Sequence, residues 1–383
     1  MKPHLVHGEG LAEYSFGAEH PMGPHRVRAA VELARCLGVL DAFEIVPPGE
    51  ADDALLELVH EPEYIDAVKR ERLSVQHGIG TEDNPIFEGM HQVSSRICAA
   101  TVTAAELVWS GRTDRAVNIA GGLHHAMPGA ASGFCVYNDA AVAIAWLKER
   151  GAERIAYLDI DAHHGDGVQQ MFYDDPSVMT VSIHESPIHL FPGTGFATET
   201  GGSGARGSAV NIALPAITED ADWLRAFGAV VPDVLEAFAP EIIITQHGCD
   251  AHRLDPLTDL RLSLDGLAES YRLVADLADA HACGRWVAIG GGGYSREVVG
   301  RAWAHLLGVV AGQPIDPATP TPQEWREMYV AKFGGTAPTG MGDGCSTEHD
   351  TIDFGFNPAS RLDQAIIATR RAVYPELGMD PGF

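Results

Sequence analysis

At 383 residues, with 45% hydrophobic content and 42 glycines, the chain can bury a sizeable core and reads as globular, not disordered. A formal net charge of −27 with only four lysines repels phosphate backbones, which argues against direct nucleic-acid binding and favours cationic ligands such as lysine-rich peptides or polyamines. No apolar run approaches the ~18 residues of a membrane span, and the N-terminus lacks a signal-peptide core. Cys36, Cys98, Cys135, Cys249, Cys283 and Cys345 form no Cys-x-x-Cys pair, so a cytoplasmic protein with reduced thiols is expected.

Along the chain, His20-Pro21-Met22-Gly23-Pro24-His25-Arg26 is a turn-rich segment opening a helical pattern over 27–37. Pro62 suits the first turn of a helix near 64–72. Residues 76–90 read as a loop carrying Glu82 and Asp83, followed by a long helix over about 91–110. Apolar runs at 116–120, 155–160, 178–183, 209–214, 241–246 and 286–289 then alternate with helical patterns near 138–150, 218–238, 263–282 and 296–310. This alternation predicts a three-layer α/β fold, a mainly parallel central sheet with helices on both faces. Polar motifs directly follow four of the runs, in 116–125, 155–166, 241–250 and 286–294. Ligands of open α/β sheets gather outside the carboxyl ends of the strands, so these four segments are expected to share one crevice.

Beyond Gly312 the character changes. Pro314, Pro317, Pro320 and Pro322 make a stiff connector, and Thr321-Pro-Gln-Glu324 reads as a capping box for a short helix ending near Phe333. Residues 334–358 read as loop, and Leu362, Ala365, Ile366, Thr369 and Val373 outline one helix face. The expected organisation is a main domain over 1–312 with an extension over 313–383 docked on it.

The chemistry concentrates in Ile155–Val168, IAYLDIDAHHGDGV. A strand of period two that continued this far would put Asp159, Asp161 and His163 on one face. Two carboxylates and an imidazole are costly to bury unless a cation pairs them. With Asp250 at another strand end, Asp161 and His163 form a three-ligand metal set that leaves positions open for chemistry. Zinc is the first choice, and two carboxylates with one imidazole also suit iron(II) or manganese. His124 and His125, after Gly121-Gly122, can shuttle protons if Asp159 and Asp166 orient them. Tyr294, after four glycines, can offer its phenol to a developing oxyanion.

The strings GGLHHAMPGAASGFCVYND, YLDIDAHHGDGVQQMFY, SIHESPIHLFPGTG and IGGGGY resemble the zinc-dependent histone deacetylase family, and HPMGPHR places the match nearest its class I and bacterial acetoin-utilisation branch. The likeness covers about 4–310, which would make 1–312 a deacetylase-like catalytic domain of the arginase/deacetylase type. It implies zinc on Asp161, His163 and Asp250, His125 with Asp166 as general base and acid, His124 with Asp159 as electrostatic partner, and Tyr294 polarising the acetyl carbonyl. It further implies Gly133, Phe134 and Phe191 as channel walls for a lysine stem, Asp83 as a rim carboxylate for peptide backbone, and Arg26 guarding a product cavity. A structural potassium ion is implied at Asp159, Asp161, His163, Ser182 and Ile183, and a second near Phe172, Asp175 and Val178, where Ser208 stands in place of a frequent aromatic. The implied reaction removes acetyl groups from N6-acetyl-lysine in proteins, with a cytosolic enzyme such as an acetyl-CoA synthetase as substrate.

Four rival readings follow from the same residues. An acetylpolyamine amidohydrolase would share the metal site, but Leu257 stands at a rim position where a carboxylate is expected. A two-manganese ureohydrolase would want a carboxylate where His252 stands. A non-catalytic acyl-lysine reader would not need the catalytic groups, and a deacylase of longer acyl chains would need a deeper pocket.

Overall fold

The computed structural model describes residues 1–382. Its strands are β1 (His4–Val6), β2 (Glu44–Val46), β3 (Arg115–Asn118), β4 (Ile155–Asp159), β5 (Val178–Glu185), β6 (Ala209–Leu214), β7 (Ile242–Gln246) and β8 (Trp286–Ile289). They form one sheet in the order β2-β1-β3-β8-β7-β4-β5-β6, and every neighbouring pair is parallel. The expected three-layer α/β architecture is therefore present. Strands β4, β5, β7 and β8 are buried throughout, as β-branched runs such as Ile242-Ile-Ile demand when both faces are covered.

Alternation along each strand divides the core. Ile155 and Tyr157 of β4 join the apolar cluster on one face, and Ala156 and Leu158 join that on the other. The first cluster is closed by α2 (Asp53–Leu56), α3 (Pro62–Lys69), α4 (Met90–Trp109), α5 (Asp139–Glu149) and the short α6 (Asp166–Phe172). The second is closed by α1 (His25–Cys36), α7 (Asp220–Phe238), α8 (Leu264–His281) and α9 (Val299–Val310).

Residues past 312 pack on this second face. Trp325 and Tyr329 of a helix at Gln323–Phe333, and Leu362, Ile366 and Val373 of one at Arg361–Val373, belong to the same core cluster as α1 and α7. The Trp325 indole donates to Ala29 O at 3.2 Å, and Arg225 pairs with Asp363 at 2.9 Å. The expected capping box is absent: Pro322 is the N-cap residue, and the Thr321 hydroxyl donates instead to Pro338 O at 2.5 Å.

Because all eight strands run parallel, the loops after β3, β4, β5, β7 and β8 leave the same edge of the sheet. That edge carries the polar motifs.

Candidate active site

β4 ends at Asp159, so Asp161 and His163 are not aligned by a strand's pleat. A pair of turns brings them round instead. Asp159 Oδ1 accepts from Asp161 N at 3.1 Å, and Asp161 Oδ1 accepts from His163 N at 3.0 Å. Short acidic side chains bonding the backbone two residues on are what makes such turns. After β7, Asp250 reaches across, its Oδ1 accepting from Ala162 N at 2.8 Å. The outcome is convergent: one ligating atom each from Asp161, His163 and Asp250 lies within 4.8 Å of the others, and all three residues are buried. His163 Nδ1 is 3.2 Å from Asp161 Oδ1 and 3.0 Å from Asp250 Oδ2.

These residues fit a divalent metal. Burial and the neighbouring Asp161 charge push the Asp250 carboxyl up, while both carboxylates overcome burial and raise His163 to about 10. Such a set draws positive charge to itself. A Cβ on Gly292 would stand 2.0 Å from Asp250 Oδ2, so only a bare backbone leaves room for the carboxylates there. Gln246, at the end of β7, donates from Nε2 to Asp161 Oδ2 at 2.7 Å, and Gly292 N donates to the same oxygen at 2.8 Å.

His124 and His125 follow β3 on a loop pinned from α5. Asn138 caps α5 through Ala141 N and donates to His124 O and Ala126 O, both at 3.1 Å. Asp139 accepts from Gly122 N and Leu123 N at 3.0 and 2.8 Å. His124 Nδ1 then sits 2.7 Å from Asp159 Oδ2, and His125 Nδ1 sits 2.7 Å from Asp166 Oδ1. The two Nε2 atoms are 3.0 Å apart. Burial lowers both imidazoles, yet Asp159 and Asp161 outweigh it at His124, which rises to about 9. His125 stays below its ordinary value through burial and the adjacent His124 charge. At neutral pH the pair is thus one imidazolium beside one neutral imidazole.

A pocket of about 220 Å³ opens above these groups, lined by Asp83, His125, Gly133, Phe134, His163, Leu190, Phe191, Leu257 and Tyr294. Phe191 meets the His125 ring edge-on at 5.0 Å, and Phe134 meets the Tyr294 ring likewise at 5.6 Å. His125 lines this pocket; His124 lies behind it.

Residues 20–310 match the sequence model of the histone deacetylase domain. The acetoin utilization protein AcuC of Bacillus subtilis is 43% identical over 347 residues, covering 88% of this chain and 89% of its own, and that of Staphylococcus xylosus is 37% identical with similar coverage, 88% and 90%. The chain belongs to the histone deacetylase family. The crystal structure of a histone deacetylase homologue from Aquifex aeolicus superposes with a TM-score of 0.82 at 27% identity, over 96% of this chain and all of that one. A homologue solved with the compound SAHA gives the same TM-score at 28% identity. As a family member the chain is a hydrolase of the deacetylase kind, and the family generally uses a metal ion.

In this histone deacetylase fold the remaining sequence-derived residues fall in definite places. Arg26 is buried, donates from Nε to Gly293 O at 2.8 Å and from a terminal nitrogen to Gly291 O, and lies over the Tyr294 and Trp303 rings at 5.4 and 4.9 Å. It borders a small cavity of about 20 Å³. Ser182 is the register partner of Asp159, and its hydroxyl lies 2.8 Å from His184 Nδ1, with Ile183 next along β5. At the second implied potassium position, the Asp175 carboxylate is paired with Lys148 and with the Ser177 hydroxyl. Gln246, Asp139, Asn138 and Leu190 were not legible as site residues. Only Gln246 had a local signal, a lone amide closing an apolar strand.

Proposed function

We propose that this deacetylase removes the acetyl group from N6-acetyl-lysine side chains of proteins, using zinc held by Asp161, His163 and Asp250. What supports the reading above all is a slender pocket with two phenylalanine walls that ends on His163, His125 and Tyr294. An aliphatic lysine stem matches such walls, and an amide carbonyl at its tip would meet the polar groups at the floor.

Zinc bound there would supply a Lewis acid that polarises the acetyl carbonyl and favours ionisation of water. The chain's own groups divide the rest of the work. Asp166 holds the His125 Nδ1–H, leaving a neutral Nε2 to take a proton from the attacking water and later deliver it to the departing lysine amine. His124, charged through Asp159, stabilises negative charge gathering in front of His125. The Tyr294 phenol stays protonated, because burial and the charge of Asp250 push it far up, and it donates to the carbonyl oxygen as charge develops there.

A polypeptide substrate suits the mouth better than a free polyamine. Leu257, not a carboxylate, lines the rim, and Ile188 and Phe191 are 71% and 45% exposed on the loop that also supplies Leu190. A peptide can cover such side chains and offer backbone N–H groups to the exposed Asp83 carboxylate; a polyamine would leave them in water. The arginase-like reading loses support because His252 turns to Asp343, at 2.8 Å, and brings no carboxylate to Asp250. No helix among the described residues is long and apolar enough to cross a membrane, and the substrates we envisage are acetylated cytoplasmic proteins, an acetyl-CoA synthetase among them.

The test pairs metal analysis with hydrolysis of an acetyl-lysine peptide and of acetylspermidine. One zinc per chain and preferential turnover of the peptide are expected. Preference for acetylspermidine, or peptide turnover by the metal-free protein, would refute the reading.

A further inference from the structure

The segment 337–345 lies beyond the matched domain, yet it is fastened tightly to it. Met341 N donates to Thr319 O at 2.9 Å and Gly342 N to Pro317 O at 2.8 Å, while buried Arg301 donates to Gly340 O at 3.1 Å. Met341 itself is fully buried. The strap delivers one carboxylate, Asp343, whose backbone N–H is fixed by Asp265 Oδ2 at 2.8 Å. Asp343 Oδ2 accepts from Leu264 N at 3.0 Å and lies 2.8 Å from Nε2 of fully buried His252.

His252 carries this contact toward the site. Its Nδ1 accepts from Leu254 N at 3.1 Å, so its proton must be on Nε2, the tautomer that Asp343 favours. Its carbonyl accepts from Asp255 N at 2.8 Å. The largely buried Asp255 then divides its two oxygens: Oδ2 accepts from Tyr294 N at 2.7 Å and Oδ1 from Leu257 N at 3.0 Å. An unbroken polar path therefore runs from the strap to the backbone that presents Tyr294 and to the rim residue Leu257.

We propose that Asp343 is a positioning residue of the active site: through His252 and Asp255 it sets the Tyr294 backbone. The strap is accordingly part of the catalytic apparatus, even though Asp343 touches no substrate. The idea rests on the deacetylase reading only for its kinetic readout.

The experiment compares Asp343→Ala, Asp343→Asn and His252→Phe in the full chain loaded with zinc. Asp343→Ala and His252→Phe should each lower kcat on an acetyl-lysine peptide about 10-fold or more, with zinc content unchanged, since small displacements of positioned groups are costly. Asp343→Asn can keep an oxygen at the Oδ2 position and should retain most of kcat. In a Tyr294→Phe background, Asp343→Ala should change residual kcat less than about twofold, because the group it positions is already gone. Wild-type kcat in either Asp343→Ala or His252→Phe, or a full multiplicative loss in the double variant, would overturn the proposal. Hydrogen exchange supplies a readout independent of substrate: the Leu257 and Tyr294 amides should lose protection in Asp343→Ala, and unchanged protection refutes the path even if the substrate reading fails.

Discussion

Substituting Gly133 by alanine tests the pocket wall beside His125. Gly133 has φ of +50°, and a Cβ there would stand 2.5 Å from His125 Cδ2 and 2.9 Å from Phe191 Cε1. Carbon atoms rest about 3.5–4.0 Å apart, so the imidazole or the backbone must yield by about 1 Å. His125 has no slack to give, held at Nδ1 by Asp166 at 2.7 Å with His124 3.0 Å from Nε2. Misplacing a catalytic group by about 1 Å costs about 10²-fold, and that is the expected fall in kcat/KM on an acetyl-lysine peptide. The left-handed backbone adds about 1–2 kcal/mol of strain for a residue bearing Cβ, enough to lower Tm by a few degrees without unfolding the chain. Gly111→Ala isolates that strain, because Gly111 has φ of +74° at the end of α4 and no atom within 4 Å of a built Cβ. It should lose similar stability and no activity. A folded, metal-loaded Gly133→Ala enzyme within about threefold of wild-type kcat/KM would show that His125 does not need its present position.

The Tyr294 phenol makes no hydrogen bond among the described residues, so Tyr294→Phe should leave Tm unchanged while lowering kcat about 10²–10³-fold, the loss typical of one oxyanion donor; steady-state kinetics beside a melting curve decides, and an unaltered kcat refutes the role. Chelation should abolish turnover, and zinc addition should restore it at one equivalent per chain; persistent activity in metal-free protein, checked by elemental analysis, argues against the metal set. Acid should destabilise the fold through buried neutral histidines. Burial depresses His60 to about 4 and His184 and His247 to about 3, so below the ordinary 6.5 the unfolded chain binds protons that the folded one does not. Stability is full above that value and lost as pH falls toward the folded values, each histidine costing about 2 kcal/mol at pH 5, and the three together about 6 kcal/mol, a large part of a typical stability. Urea midpoints at about pH 7.5, 6 and 5 should fall accordingly, and a flat profile sinks the argument.

The sequence displayed what repeats and what is long. Strands β3 to β8 and the long helices announced themselves because mainly apolar runs and 3.6-residue periodicity are local properties. Strands β1 and β2 have three residues each, too few for any period, and α6 is a seven-residue turn-like helix starting at Asp166. A continued strand was expected to align Asp159, Asp161 and His163, but β4 ends at Asp159, and consecutive acid-to-backbone turns bring Asp161 and His163 round to Asp250 instead. The supports were not legible at all. Asp139 holding the dihistidine loop, Gln246 on Asp161 and Asp343 on His252 are pairings between distant segments, and nothing at either end signals the other.

Charge balance explains why these supports are so numerous. Asp159, Asp161, Asp166 and Asp250 are buried around one site, and Asp159 and Asp161 outweigh burial to raise His124 to about 9. A divalent ion at Asp161, His163 and Asp250 would offset part of this concentration of carboxyl groups. Without compensation, buried like charges cost several kcal/mol each, and the fold would have to spread them apart or protonate them. Instead Ala162 N, Asp161 N, His163 N, Gly292 N and the Tyr157 hydroxyl all point their hydrogens at these carboxylates. These donors hold Asp159, Asp161 and Asp250 aimed at the site without help from a substrate, an arrangement suited to receiving cations.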